Sequence, residues 1–307
     1  MRSAWLRAAL LVAALSPAAS VAAQSSPGPT ALFTYVFDDG FSTDVVVSAE
    51  FSARGAVACS AVTTGWIGTD DHLTVADILQ LQGLGWEILS HTRTHPHLPR
   101  LSPARIEEEL RASREELESL GVSVHSLVYP YNQSDAEVER IARGYYRSAR
   151  GGGDALNTSH TDPYALRSFS NRHNPAALRR VIDRAYAARA WLIVYQHRVD
   201  VDAHIEDRHG RFLPGEMLEF SPSMAEARCE KSAWSEVLGT LHYRPLRGAP
   251  RCGDLVTGQK SRATARIGRI VFDDFAIIAD TLDYLRTRYP DMKIVTINQG
   301  LDLLGFP

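Results

Sequence analysis

The stretch LFTYVFDDGFS, Leu32 to Ser42, decides how the rest of the chain is read. Leu32–Phe37 is an apolar run rich in aromatic and β-branched residues, the composition of a buried strand. It stops at two adjacent carboxylates, Asp38 and Asp39, followed by Gly40. Like charges side by side at the tip of a strand repel one another unless a cation is close by. The first strand therefore ends where chemistry is expected, and the rest of the chain has to supply its other parts.

Short apolar runs alternate with helical patterns from here on. AVACSAV (56–62) and WEILS (86–90) read as the second and third strands, with a helix over 73–84 between them. Ser102 and Pro103 open an amphipathic helix, PARIEEELRASREELESLG, which Gly121 ends. SLVYPY, YYRSAR, YALRSF and WLIVYQH read as strands four to seven, interleaved with helices in DAEVERIAR and NPAALRRVIDRAYAARA. FAIIADTLDYLRTRY is a last helix and KIVTI an eighth strand. Strands alternating with helices imply parallel pairing and right-handed crossovers. The expected fold is α/β, a distorted (β/α) barrel of the TIM type spanning 31–200 and 271–307. A doubly wound open sheet is the competing fold, but no glycine-rich dinucleotide fingerprint follows the first strand.

The segment 201–270 breaks this rhythm. GTLHYRPL, GDLVTG and ATARIGRIV alternate with period two between Gly and Pro turns, which predicts a small β-rich insertion before the last helix. Cys229 and Cys252 are its candidate disulfide pair, and Cys59, in an apolar run, reads as a buried thiol. Trp234, His242 and Tyr243 read as a small core for this unit, or else as a surface on which sugars stack.

Composition bounds the function classes. The chain has 307 residues, 45% apolar and 22% charged, and a formal net charge of −3, so it carries no electrostatic footprint for nucleic acid. Arg2 and Arg7, a short apolar run and small residues up to Ala23 read as an export signal over 1–23, followed by a Ser/Pro/Gly linker over 24–30. Cleavage near Ala23 leaves 31 basic against 36 acidic residues, a net charge of −5. No integral membrane segment is expected in the mature chain, and a periplasmic or secreted location is. No protein partner is identifiable.

The polar residues at the C-terminal strand ends carry the functional reading. Asp38 and Asp39 end the first strand, His91 and His95 follow the third, Tyr131 ends the fourth and His197 the seventh. In a β/α barrel these ends converge on one face. Two imidazoles and one carboxylate suit Zn2+ and leave a position open for water. An HxxxH spacing alone is most often a pair of solvated loop histidines. The Asp pair and His197 at matching strand ends are what raise it above that. Pro96 makes a loop between the histidines more favourable than a helix. For the Asp pair the alternative is a helix cap, and for His197 a core histidine. FDDF at 272–275 repeats the acidic pair directly before a helix, and there Asp273 and Asp274 read as cap and dipole residues.

TYVFDDG, SHTRTH, VYPY and IVYQH, in this order, resemble the motifs of the polysaccharide deacetylases, the NodB-homology group of carbohydrate esterase family four. The resemblance runs from about Leu32 to Arg198 and resumes over Phe275–Leu304. It implies a divalent metal, usually zinc, and hydrolysis of the acetamide of N-acetylhexosamine units in an acetylated polysaccharide substrate, with metal-bound water as nucleophile. By position it implies Asp38 as general base, Asp39, His91 and His95 as metal ligands, the Tyr131 backbone N–H at the oxyanion and His197 as general acid. Val128 and Tyr129 stand where many relatives carry an Arg in the third motif. The fourth motif has no clear counterpart. Asp154 is a candidate to orient His197, and Arg167 a candidate partner for Asp38. The rival readings are an O-acetyl esterase or other amide hydrolase on the same site, and a non-catalytic carbohydrate-binding protein on a degraded scaffold.

Overall fold

The structure, a computed structural model, describes residues 30–171, 174–235, 239–248 and 250–306. The export signal and all of the linker but Thr30 lie outside these, as does the side chain of Trp234.

Seven strands run parallel around a ring in the order β5-β4-β3-β2-β1-β7-β6. They are β1 (Leu32–Phe37), β2 (Cys59–Val62), β3 (Glu87–Ser90), β4 (Ser126–Val128), β5 (Ser148–Arg150), β6 (Phe169–Ser170) and β7 (Trp191–Gln196). A parallel bridge between Arg150 and Leu166, just ahead of β6, joins the two ends of the path, with Gly151 N–H donating to Leu166 O at 2.9 Å. Helices α1 (Thr43–Ser52), α2 (Val75–Gly83), α3 (Pro103–Ser119), α4 (Ala136–Ala142) and α5 (Pro175–Ala187) lie between the strands in sequence. Successive side chains in a strand point to opposite faces. Phe33, Tyr35 and Phe37 thus pack with buried helix residues such as Phe51 and Ile78, while Leu32 and Val36 join Cys59, Leu89, Val128 and Ile193 in a separate interior cluster.

The expected eighth strand does not take a full place in this ring. β14, Lys293–Ile294, pairs only with Leu32 and Phe33, while β2 takes the same edge of β1 higher up, at Val36 and Phe37. The chain then turns into α7 (Ile297–Leu303), opened by a capping box between Thr296 and Gln299. Ile297 and Leu301 join the interior cluster beside Trp191. Gly300 lies so close to Trp191 that a Cβ there would sit 2.6 Å from the ring.

Between β7 and α6 (Asp274–Arg288) the chain forms a second barrel, closed and antiparallel. Its strands are β8 (Val201–His209), β9 (Met217–Ser221), β10 (Glu226–Ser235), β11 (Thr240–Arg247), β12 (Leu255–Gly258) and β13 (Thr264–Asp273), in the order β10-β11-β8-β13-β12-β9. Alternate residues, including Leu218, Phe220, Tyr243 and Ile267, are buried in it. Tyr243 is thus a core residue, and His242 is paired with Asp202. The proposed disulfide does not form. Cys229 is buried and Cys252 is exposed, and both are free thiols, because closeness in sequence does not fix the direction of a side chain. Asp273 caps α6 by accepting from Phe275 N–H and Ala276 N–H at 2.9 and 3.2 Å.

Candidate metal centre and active site

The strand ends bring Asp39, His91 and His95 together. One potential ligand atom from each lies within 4.8 Å of the others, the only such grouping of three or more among the described residues. The Nε2 atoms of His91 and His95 each lie 3.3 Å from Asp39 Oδ1. His197 enters from β7, with Nε2 3.9 Å from Asp39 Oδ2 and its side chain 55% exposed. The Asp39 carboxyl is pushed up by burial. Contact with His91 and the charges of His91, His197 and His95 outweigh this and hold it below the usual carboxylate range. Burial, and next the charge of His91, drive the His95 ring down to about 4, so at neutral pH its lone pair is free.

The backbone here is held in unusual conformations. Of the eleven non-glycine residues with positive φ among those described, five belong to this site: Asp39, Thr92, His95, Tyr131 and Asn132. Such conformations cost on the order of 1–3 kcal/mol each and persist where the surroundings impose them. Gly40 follows Asp39 at φ +70°, and a Cβ there would lie 3.3 Å from Val62 Cα. The loop from His91 to His95 is not helical, as Pro96 implies. Buried Glu109 of α3 holds it by accepting from Arg93 N–H, Thr94 N–H and Thr94 Oγ at 3.0, 2.8 and 2.7 Å. His91 Nδ1 sits 2.8 Å from Val128 O. In the neutral ring that nitrogen carries the proton, which turns the Nε2 lone pair towards Asp39.

These residues fit a divalent cation. Asp39 Oδ1 is buried, makes no hydrogen bond, and faces two imidazole nitrogens. A buried oxygen without a donor is costly, and a cation shared with both rings satisfies all three groups.

Asp38 stands beside this cluster, nearly buried, its N–H donating to Gln196 O at 2.8 Å. Its ionic partner is Arg150, at the end of β5, and not Arg167. Arg150 is fully buried, also donates to Asn132 Oδ1 at 2.7 Å and Ser168 Oγ at 3.3 Å, and lies over the Tyr195 ring at 4.9 Å. Arg150 is thus the cation that stands against Asp38. The signal for it was present, since YYRSAR ends a strand as the other site residues do. The Arg167 side chain is exposed and lines a cavity of about 590 Å³ next to Asn132 and Gly153. Asp154 sits on an exposed loop, its N–H bonded to Ser168 O, and the carboxylate paired with His197 is Asp39. Asp44, buried on α1, accepts from Ser60 Oγ at 2.6 Å. Burial, helped by the charges of Asp38 and Asp39 against the Ser60 bond, pushes its carboxyl well above the usual carboxylate range.

Tyr131 lies in a short turn with φ +58°, its side chain half exposed and stacked on His97, with ring centroids 3.7 Å apart. As the second residue of a helical turn, its N–H has no acceptor within that turn. Trp66 and His72 extend the aromatic surface on the other side of His95, with Trp66 5.3 Å from that ring. Neither was singled out from the sequence.

Two imidazoles and a carboxylate that could hold a metal ion, a second carboxylate paired with a guanidinium and a third imidazole across the opening thus meet on one face of a distorted β/α barrel. A family model described as polysaccharide deacetylase matches residues 25–146. That stretch carries Asp38, Asp39, His91, His95 and Tyr131, and over it the chain is similar to the polysaccharide deacetylases. Among solved structures, a polysaccharide deacetylase from Bacillus cereus is 23% identical over 44% of each chain, with a TM-score of 0.41. A Streptococcus pyogenes deacetylase in complex with acetate is 21% identical over 47% of this chain and 67% of its own, with a TM-score of 0.43. A family 4 carbohydrate esterase from Streptomyces lividans, also with acetate, is 15% identical over 54% and 79%, with a TM-score of 0.39. The chain thus spans less than half the length of the Bacillus protein. No curated protein matches it. No helix among the described residues is long and apolar enough to cross a membrane.

Proposed function

We propose that the protein is an exported, metal-dependent deacetylase that hydrolyses the N-acetyl group of N-acetylhexosamine units in a polysaccharide. The observation that carries this is the grouping of Asp39, His91 and His95 with Asp38 beside it and His197 3.9 Å from Asp39. A divalent metal held by Asp39, His91 and His95, zinc by the chemistry of these donors, supplies a Lewis acid for the acetyl carbonyl and lowers the pKa of water.

The remaining work falls to the chain. Asp38, fixed by Arg150, takes a proton from the attacking water as its oxygen bonds to the acetyl carbon. The Tyr131 N–H donates to the carbonyl oxygen as negative charge grows there. The C–N bond breaks as His197 gives a proton to the nitrogen, since an amine leaves poorly as an anion. One water is consumed, and acetate and a free amine are released.

The test is acetate release from a panel of N- and O-acetylated glycans, with and without a chelator, together with metal content. Free amine among the products supports N-deacetylation. Free hydroxyl alone makes the protein an O-acetyl esterase on the same site. Glycan binding without acetate release makes it a binding protein and removes the proposal.

A further inference from the structure

We propose that the inserted antiparallel barrel sets the distance between His197 and the metal centre, through an ion network hubbed on Arg244. The proposal rests on the acid role given to His197 above.

Arg244 of β11 is almost fully buried, and its Nη2 lies 2.7 Å from Asp71 Oδ2 and 2.8 Å from Glu230 Oε1. Arg228 of β10 approaches the other Asp71 oxygen at 3.6 Å. Glu230 Oε2 lies 3.6 Å from Arg198, whose Nε donates to Asp200 at 2.9 Å. Three cations and three anions therefore link one edge of the inserted barrel to two loops of the main barrel.

Those loops carry the two sides of the reacting centre. Asp71 O accepts from Ser42 N–H at 2.8 Å, and Leu73 N–H donates to Gly40 O at 2.9 Å, so the Asp71 loop is stitched to the residues that follow Asp39. Arg198 is the residue after His197, and Val199 N–H reaches Thr43 Oγ at 3.3 Å. His197 is itself exposed, and its ring makes no hydrogen bond among the described residues, only the 3.9 Å approach to Asp39. What fixes it is therefore its backbone, held at Arg198 and Asp200. Arg244 and Glu230 are the buried pair at the centre of this partly exposed network, and a buried ion pair is a poor source of net stability but a stringent geometric constraint, because each of its charges is costly when misplaced. Arg244 and Glu230 are positioning residues in this scheme.

The experiment compares an acetylated oligosaccharide with an aryl acetate whose leaving group departs without being protonated. The full chain is assayed as Glu230→Gln, Arg244→Lys, Arg244→Met and His197→Ala, with metal content measured for each. Glu230→Gln and Arg244→Met are expected to lose about tenfold to a hundredfold in kcat on the acetamide, the cost of a small misplacement of the acid. Their aryl acetate rate and metal content stay within about twofold of the wild type, and Arg244→Lys recovers part of the loss. Equal losses on both substrates, or no loss on either, overturn the proposal. If Arg244→Met does not fold, the isosteric Glu230→Gln decides by the same ratio. His197→Ala separates the two levels: without the same split, the acid assignment itself fails, whereas a split in His197→Ala alone removes only the role of the inserted barrel.

Discussion

Arg150→Met keeps most of the side chain's volume and removes its charge. The wild-type guanidinium bonds Asp38, Asn132 and Ser168 and covers the Tyr195 ring. The side chains of Arg150 and Asp38 are 1% and 4% exposed, so solvent screening does little to weaken the pair. Two unit charges about 4 Å apart attract by about 4 kcal/mol at an effective dielectric constant of 20. Removing one partner strands the other in the interior, for which about 3–5 kcal/mol of lost stability is typical. In a chain of this size that lowers the melting temperature by roughly 10 °C. Adding Asp38→Asn removes the stranded charge. The double variant is then expected to be about 1–3 kcal/mol more stable than the sum of the single losses predicts. Urea unfolding of the four proteins, with the slopes checked for constancy, measures this coupling. If the two losses simply add, Arg150 does not compensate Asp38, and the account of how the base is held is wrong.

Asp38→Asn is expected to abolish acetate release while keeping the metal, and His91→Ala to lose the metal; elemental analysis beside the acetate assay checks both. Glu87 is pushed up by burial from 4.5 to about 7, against hydrogen bonds from the start of α7. A raised carboxyl favours the protonated fold, so this contribution is full below about pH 4.5, is lost as pH rises through about 7, and amounts to about 3 kcal/mol at most. Glu87→Gln should therefore flatten the change in urea midpoint between about pH 5 and about pH 8, and an unchanged slope would refute this. Gly300→Ala drives a methyl group into the Trp191 ring and is expected to cost about 1–3 kcal/mol by thermal unfolding, with the acetate assay little changed at temperatures where the protein is folded.

The strand-end rule accounts for how much of the site can be read from the sequence. Asp38, Asp39, His91, His95, Tyr131 and His197 end apolar runs, and parallel pairing around a ring brings such ends to one face whatever the exact register. Arg150 obeys the same rule but ends a strand of only three residues, and an arginine there reads as a surface charge until the ring is closed at Leu166. KIVTI has strand composition, yet the chain turns at Thr296 because TINQ is a capping box; local hydrogen bonding there wins over β propensity.

The inserted segment shows where sequence reading stops, and why. Its alternation marks it as β-rich, because period two needs only local geometry. The partners of its charges depend on register, and register shifts twice along β10 and β11, after Glu226 and after Cys229. On β11, Tyr243 points into the small barrel, while its neighbour Arg244 is on the outer face and should by alternation be solvated. It is buried all the same, because Asp71, Glu230 and their loops cover that face. A charge on the polar phase of a strand is uninformative until the neighbouring surface is known. That surface is assembled from residues more than a hundred positions apart, which no window of sequence contains.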